Sequence, residues 1–305
     1  MFRSSWLKWI ALSLCMIFLL GLCACGESSS DPLTESESFD SEQKTEDSNA
    51  TDTSSNSVIT TNPTSGSTTV KPIFEDEFDR DGFVRGDKWT NCTEWIRQDG
   101  GSEWKDEMVE FRDGKLVLKA AWNPTTKRVE CGAVWTKDRF DTVGGYYEAK
   151  IKFPVVKGVW GAFWIMAGDV SNVNSSSTDG AEIDVIESID NDKGAFQSAV
   201  HWDGYDSGHQ SQSHSLTTPN IYDGEFHVFG FERSKGKYVF YVDGKKTWET
   251  TAAGLCSLPG YLMLSLEGTY SRGVGTEESL KKLQIPAEME IDYVRVYAKR
   301  PTNQG

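Results

Sequence analysis

The sequence predicts an all-β protein, a sandwich of two antiparallel sheets. Three observations carry that reading. From residue 73 onward, strand-length runs rich in β-branched and aromatic residues follow one another. Turn dipeptides separate them, and no stretch keeps a helical period over three turns.

The runs, in order, are Lys115–Lys119, Gly145–Phe153, His227–Glu232, Tyr238–Val242, Tyr261–Leu266 and Glu290–Tyr297. Asp113-Gly114 and Asp243-Gly244 are hairpin signals, because tight two-residue turns need positive φ and these residue types tolerate it. Glu277 to Leu283 suffices for one or two helical turns. About 230 residues of such short strands suit a sandwich. No repeat of useful period is visible, which argues against a solenoid or propeller.

Two segments precede this domain. Arg3 and Lys8 form a short basic start, and the apolar run Trp9 to Cys25 follows. That run is shorter than the roughly 20 residues of a spanning helix, so residues 1–25 read as a signal peptide. Residues 26–72 hold 12 Ser, 9 Thr and 9 acidic residues. So few apolar groups do not offset the cost of ordering, and a flexible coil of this length spans about 35–40 Å.

The 305-residue chain carries 46 acidic against 31 basic residues, a net charge of −15. That balance argues against nucleic acid, whose affinity rests on lysine and arginine contacts to phosphate. It suits a neutral polymer such as an unsulfated polysaccharide. Of six cysteines only Cys92, Cys131 and Cys256 fall in the domain, too few for a disulfide framework and without zinc-ligand spacing. No nucleotide or haem pattern is present, so no cofactor for catalysis is expected.

The chemistry concentrates in Gly180-Ala181-Glu182-Ile183-Asp184-Val185-Ile186-Glu187-Ser188. Alternation along a strand puts Glu182 and Asp184 on one face and Ile183 and Val185 on the other. Plain alternation would turn Glu187 to the apolar face. A bulge at Val185-Ile186, counting two residues as one, returns it to the acidic face. Four effective steps then separate the glutamate Cα atoms by roughly 13 Å, and inward-leaning carboxyl groups by about 5–6 Å. That is near the roughly 5–5.5 Å of a retaining glycosidase. Crowded carboxylates resist simultaneous ionisation, so one of them should keep a proton. A merely solvated strand face is the alternative, but it gains nothing from like charges side by side.

Glu182-Ile183-Asp184-Val185-Ile186-Glu187 resembles the bulged signature of laminarinase-like members of glycoside hydrolase family 16. The likeness extends in order through Glu75–Asp79 with Lys88-Trp89, Asp113–Leu118, Gly144–Lys152, Gly158–Trp164, Phe226–Glu232, Tyr241–Lys245 and Met289–Tyr297. It implies a concanavalin A-like jelly roll with a substrate groove on its concave sheet. It also implies Glu182 as nucleophile, Glu187 as general acid/base and Asp184 as the group tuning the nucleophile between them. Trp160 and Trp164, four apart and on one strand face, would be stacking platforms beside the cleaved bond. His201 would face the acid/base, and Trp104 would add a subsite towards the other end of the groove. A structural calcium would take oxygens from Glu77, the Gly114 carbonyl and Asp292.

The implied activity is endo-hydrolysis of β-1,3- or mixed-linkage β-1,3-1,4-glucan with retention. Relatives use the same chemistry on agar, porphyran, carrageenan or host glycans, and a non-catalytic lectin on the same fold is the rival reading. Leu266–Tyr270 and Asp203–His209 depart from the laminarinase pattern. Leu22-Cys23-Ala24-Cys25 before Gly26 resembles a bacterial lipobox, which implies lipidation of Cys25 and tethering to a membrane outside the cytoplasm. A monomer is expected.

Overall fold

A computed structural model describes residues 70–302 apart from 83–85, 94, 98–100, 191–193, 235, 253, 270–275 and 284–285. The leader, the tether and Cys25 lie outside the described residues.

Seventeen strands follow in the order β1 (Phe74–Asp76), β2 (Thr90–Asn91), β3 (Ser102–Trp104), β4 (Val109–Arg112), β5 (Lys115–Asn123), β6 (Arg128–Cys131), β7 (Ala133–Trp135), β8 (Gly145–Lys152) and β9 (Val159–Gly168). After these come β10 (Gly180–Asp190), β11 (Ala195–Trp202), β12 (Gln210–Leu216), β13 (His227–Ser234), β14 (Lys237–Val242), β15 (Lys245–Thr250), β16 (Gly260–Gly268) and β17 (Ala287–Tyr297). The one α-helical turn among the described residues, α1 (Glu277–Leu280), is fixed by a capping box in which Thr276 and Ser279 satisfy each other's backbone amides.

Ten strands form one sheet, with β15-β14-β13-β8-β17-β5-β6-β3 as its path, β1 on β17 and β4 on β5. Seven form the other, in the order β12-β11-β10-β9-β16-β7-β2. All pairings are antiparallel except β3 on β6, which is parallel. The expected sandwich of two antiparallel sheets is what forms, with that one short parallel pair at the end of the larger sheet. Both turns behave as their residue types require: φ is 53° and 68° at Asp113 and Gly114, and 49° and 74° at Asp243 and Gly244.

One core joins the two layers, with Phe163, Ile183 and Leu264 of the seven-stranded sheet in the same cluster as Ala149, Phe229 and Met289 of the other. At Gly161 an added Cβ would lie 2.8 Å from the Phe153 ring and 2.9 Å from the Met289 sulfur, so the layers meet on bare backbone there. The acidic strand β10 is interior, held on one side by β9 and on the other by β11. Gly180 opens it because a Cβ would strike the Asp169 carbonyl oxygen at 2.0 Å. Among the described residues no helix is long and apolar enough to cross a membrane.

Candidate active site

The bulge falls where the parity of the acids requires it. Asp184 pairs with Trp164 of β9, and the next β9 residue, Phe163, pairs with Ile186, so Val185 and Ile186 together oppose one residue. Against β11, Asp184 pairs with Ala199 and Glu187 with Gln197. Side chains hold this kink. Ser198 donates its hydroxyl to the Val185 carbonyl at 2.8 Å, and the Gly161 amide donates to the Ser188 hydroxyl at 2.7 Å. Ile183, Val185 and Ile186 stay buried in the core.

The two glutamates meet different surroundings. Glu187 is half-buried and accepts from Trp160 Nε1 at 3.0 Å and from Gln197 Nε2 at 2.7 Å. Glu182 accepts a short hydrogen bond from the Tyr205 hydroxyl. Asp184, only 4% exposed, has its Oδ2 at 3.2 Å from Nε2 of His201. The donor atoms of Glu182, Asp184 and His201 all lie within 4.8 Å of one another. Burial, and then the charge of Asp184, push the Glu182 carboxyl up to about 8, against the opposing pull of His201 and Tyr205. These surroundings favour the neutral form of the Glu182 carboxyl.

Other expected residues divide. Trp160 and Trp164 share a wall as their spacing requires: Trp160 reaches Glu187, and Trp164 Nε1 donates to Ser265 Oγ at 3.1 Å. They line one depression with Trp104, Asp184 and Glu187. Trp104 is not an outlying platform. It is 2% exposed and its ring packs on Trp95 at 4.3 Å, so it forms the floor beside the acids. His201 does not face Glu187. It sits opposite Glu182 in the register, and Gln197 takes the place beside Glu187. The two lie four positions apart along β11.

The calcium set does not fit as its side chains stand. Both oxygens of Glu77 accept from Arg295, at 2.7 and 2.8 Å, and Asp292 pairs with Lys150 at 2.8 Å. An ion there would have to displace two cations, and no step below involves one.

Three contributors were not foreseen. Gln197 carries no mark beyond its place on β11. Tyr205 and His209 belong to the loop Asp203–His209, whose departure from the familiar pattern was the available signal. Asp203 anchors that loop by accepting from the Asn174 and Ser175 amides at 3.0 and 3.1 Å and from Gln210 at 2.7 Å. A fourth contact crosses the sequence: Arg97, 3% exposed, pairs with Glu267 and lies 5.8 Å from the Trp160 ring.

A jelly-roll sandwich with two differently dressed glutamates on one bulged strand has the form of a glycoside hydrolase. The family described as "Beta-porphyranase A-D, GH16 domain" matches residues 69–299, and the chain belongs to it, within glycoside hydrolase family 16. It is 28% identical over 218 residues to "Glucan endo-1,3-beta-glucosidase A1" of Niallia circulans, which covers 64% of this chain. The chain spans 31% of the length of that relative. Among solved structures, SCLam, a non-specific endo-β-1,3(4)-glucanase, superposes with a TM-score of 0.64 at 24% identity, covering 75% of this chain and 95% of its own. A Bacteroides ovatus mixed-linkage glucan GH16 protein with product bound gives a TM-score of 0.61 at 21% identity, covering 73% of this chain and 99% of its own.

Proposed function

We propose that this chain is a retaining, endo-acting hydrolase of β-1,3- or mixed-linkage β-1,3-1,4-glucan. The observation that carries the reading is the contrast between the two glutamates that the β10 bulge brings to one face. Glu187 is held by two neutral donors, while Glu182 is crowded by Asp184 and bonded to Tyr205.

Double displacement follows from these roles. Glu182 attacks the anomeric carbon as a carboxylate, and Glu187 delivers a proton to the departing oxygen. The trio needs one proton in total, carried by Glu187 when the bond breaks. Water then enters where the leaving sugar was, Glu187 takes its proton, and the glycosyl–Glu182 ester is released with retained configuration. Gln197 suits both halves of the cycle. Its amide donates to ionised Glu187 through Nε2 or, turned over, accepts from protonated Glu187 through Oε1. Asp184, with His201 at 3.2 Å, biases charge away from Glu182 until the sugar's positive charge develops against it.

The substrate class rests on the named activities of the relatives and on the net charge of −15, which suits a neutral glucan over a sulfated galactan. The test incubates the protein with laminarin, lichenan, agarose and porphyran and follows the first product by proton NMR. Oligosaccharides from laminarin or lichenan, released with the β-anomer first, support the reading. Cleavage confined to porphyran or agarose overturns the substrate, and an α-anomer first overturns the mechanism.

Cys25 is proposed as a lipidated N-terminus that tethers the monomeric enzyme outside the cytoplasm. The support is Leu22-Cys23-Ala24-Cys25 ahead of a polar stretch. Mass spectrometry of the mature terminus, with Cys25→Ser as control, tests it; an unacylated terminus or cleavage elsewhere overturns it.

A further inference from the structure

We infer that His209 is a positioning residue, and that its hydrogen bond commits His201 to the tautomer that serves Asp184. The two imidazoles lie nearly coplanar, 12° apart, with His201 Nδ1 and His209 Nε2 separated by 2.9 Å. One of these nitrogens donates and the other accepts. The Asp184 carboxylate on the far side of His201 favours one assignment, and the His209 hydrogen bond locks it in. His201 Nε2 stands 3.2 Å from an Asp184 oxygen, and a bare nitrogen there would set a lone pair against a carboxylate. Neutral His201 therefore carries its proton on Nε2 and leaves Nδ1 bare, so His209 Nε2–H is the donor. The His209–His201 hydrogen bond thus turns the N–H side of the His201 ring towards Asp184, 3.2 Å away.

The consequence is chemical. The alternative tautomer of His201 would set a lone pair beside the Asp184 carboxylate in place of an N–H. That change alters the charge beside Glu182, and with it the ease of ionising the nucleophile. The titratable groups facing His201 are Glu182 and Asp184 from β10 and Tyr205 and His209 from the loop. Its β12 neighbour in the register, Ser211, is uncharged. The loop's own acids lie apart from this line: the Asp203 carboxylate is occupied by Asn174, Ser175 and Gln210, and Asp206 is exposed. His209 is held in place by its amide, which donates to the Asp206 carbonyl at 3.0 Å.

The inference goes beyond the glycosidase reading, and only its kinetic arm rests on that reading. Three proteins are compared: wild type, His209→Ala and His209→Gln, whose side-chain amide keeps a donor for Nδ1. Imidazole nitrogen NMR is tractable because the sequence holds 4 histidines. Wild type and H209Q are expected to show His201 as the Nε2–H tautomer at pH 8, and H209A a mixture. With substrate, H209A should lose about tenfold in kcat with KM nearly unchanged, and H209Q should recover most of it. H209A should also shift the pH profile, a change that simple loosening of the loop does not produce. An unchanged His201 tautomer in H209A overturns the inference, as does H209Q impaired equally with H209A at equal thermal stability. Should no tested glucan be cleaved, the NMR arm alone decides, so the two failures are separable.

Discussion

Trp160 donates its indole N–H to Oε1 of Glu187 at 3.0 Å, across from the Gln197 amide on Oε2. The Glu187 carboxyl, proposed as the acid/base, is thus clamped from both neighbouring strands of β10, and its orientation is set before any sugar arrives. Preorganisation of this kind holds the group within reach of a leaving oxygen without further reordering.

Removing either clamp should slow chemistry more than binding. Gln197→Leu leaves the carboxyl one donor short and should lower kcat by about tenfold, with little change in KM. Trp160→Phe keeps an aromatic wall but loses the N–H, and should act in the same direction. Steady-state kinetics on laminarin reads both; a purely KM effect would contradict the clamp.

Glu182→Gln should abolish hydrolysis by several orders of magnitude while leaving the fold intact. It should also change how stability depends on pH. The Glu182 carboxyl stands at about 8 in the folded protein against 4.5 as a reference. Its stabilising contribution is therefore complete below about pH 4.5 and is lost as pH rises through 8. A glutamine does not titrate, so the melting temperature of E182Q should gain on wild type between pH 5 and 9, by several degrees. Parallel melting curves across that range would refute the raised value.

The same titration limits activity on the alkaline side. With one proton required among Glu182, Asp184 and Glu187, kcat/KM should fall above an apparent value near 8. Profiles measured at constant ionic strength test this, and a profile still rising at pH 9 would contradict it.

Arg97→Ala should strip the partner from Glu267 in a largely enclosed site. Breaking an ion pair in such an enclosed site costs about 3 kcal/mol, which corresponds to a melting temperature lower by roughly 10 °C. The double change with Glu267→Gln should restore part of it. An R97A protein as stable as wild type would show that the pair contributes little.

Much of this was legible in the sequence because it followed from periodicity. The spacing of Glu182, Asp184 and Glu187 has a meaning only if β10 is bulged, and the register places the extra residue at Val185 and Ile186. Trp160 and Trp164 were legible for the same reason. What escaped depends on contacts that no local period encodes. Arg97 meets Glu267 from 170 positions away. His201 meets Glu182 and not Glu187, and Gln197 stands beside Glu187, because pairing between β10 and β11 shifts at the bulge. The edge strand β12, Gln-Ser-Gln-Ser-His-Ser-Leu, is nearly all polar and offers no apolar alternation to detect. Glu77 and Asp292 were chosen as oxygen ligands, but residue type alone does not reveal the cations beside them.

The loop anchored by Asp203 has a consequence for how such a protein can diversify. The acids proposed to make and break bonds lie on an interior strand and tolerate no slippage. Tyr205 and His209, which dress those acids, hang from a segment tied down at Asn174, Ser175 and Gln210. Exchanging that segment for one of different length would retune acidity and the shape of the cleft while sparing stereochemical outcome, making it the natural place to graft a new preference onto an old reaction.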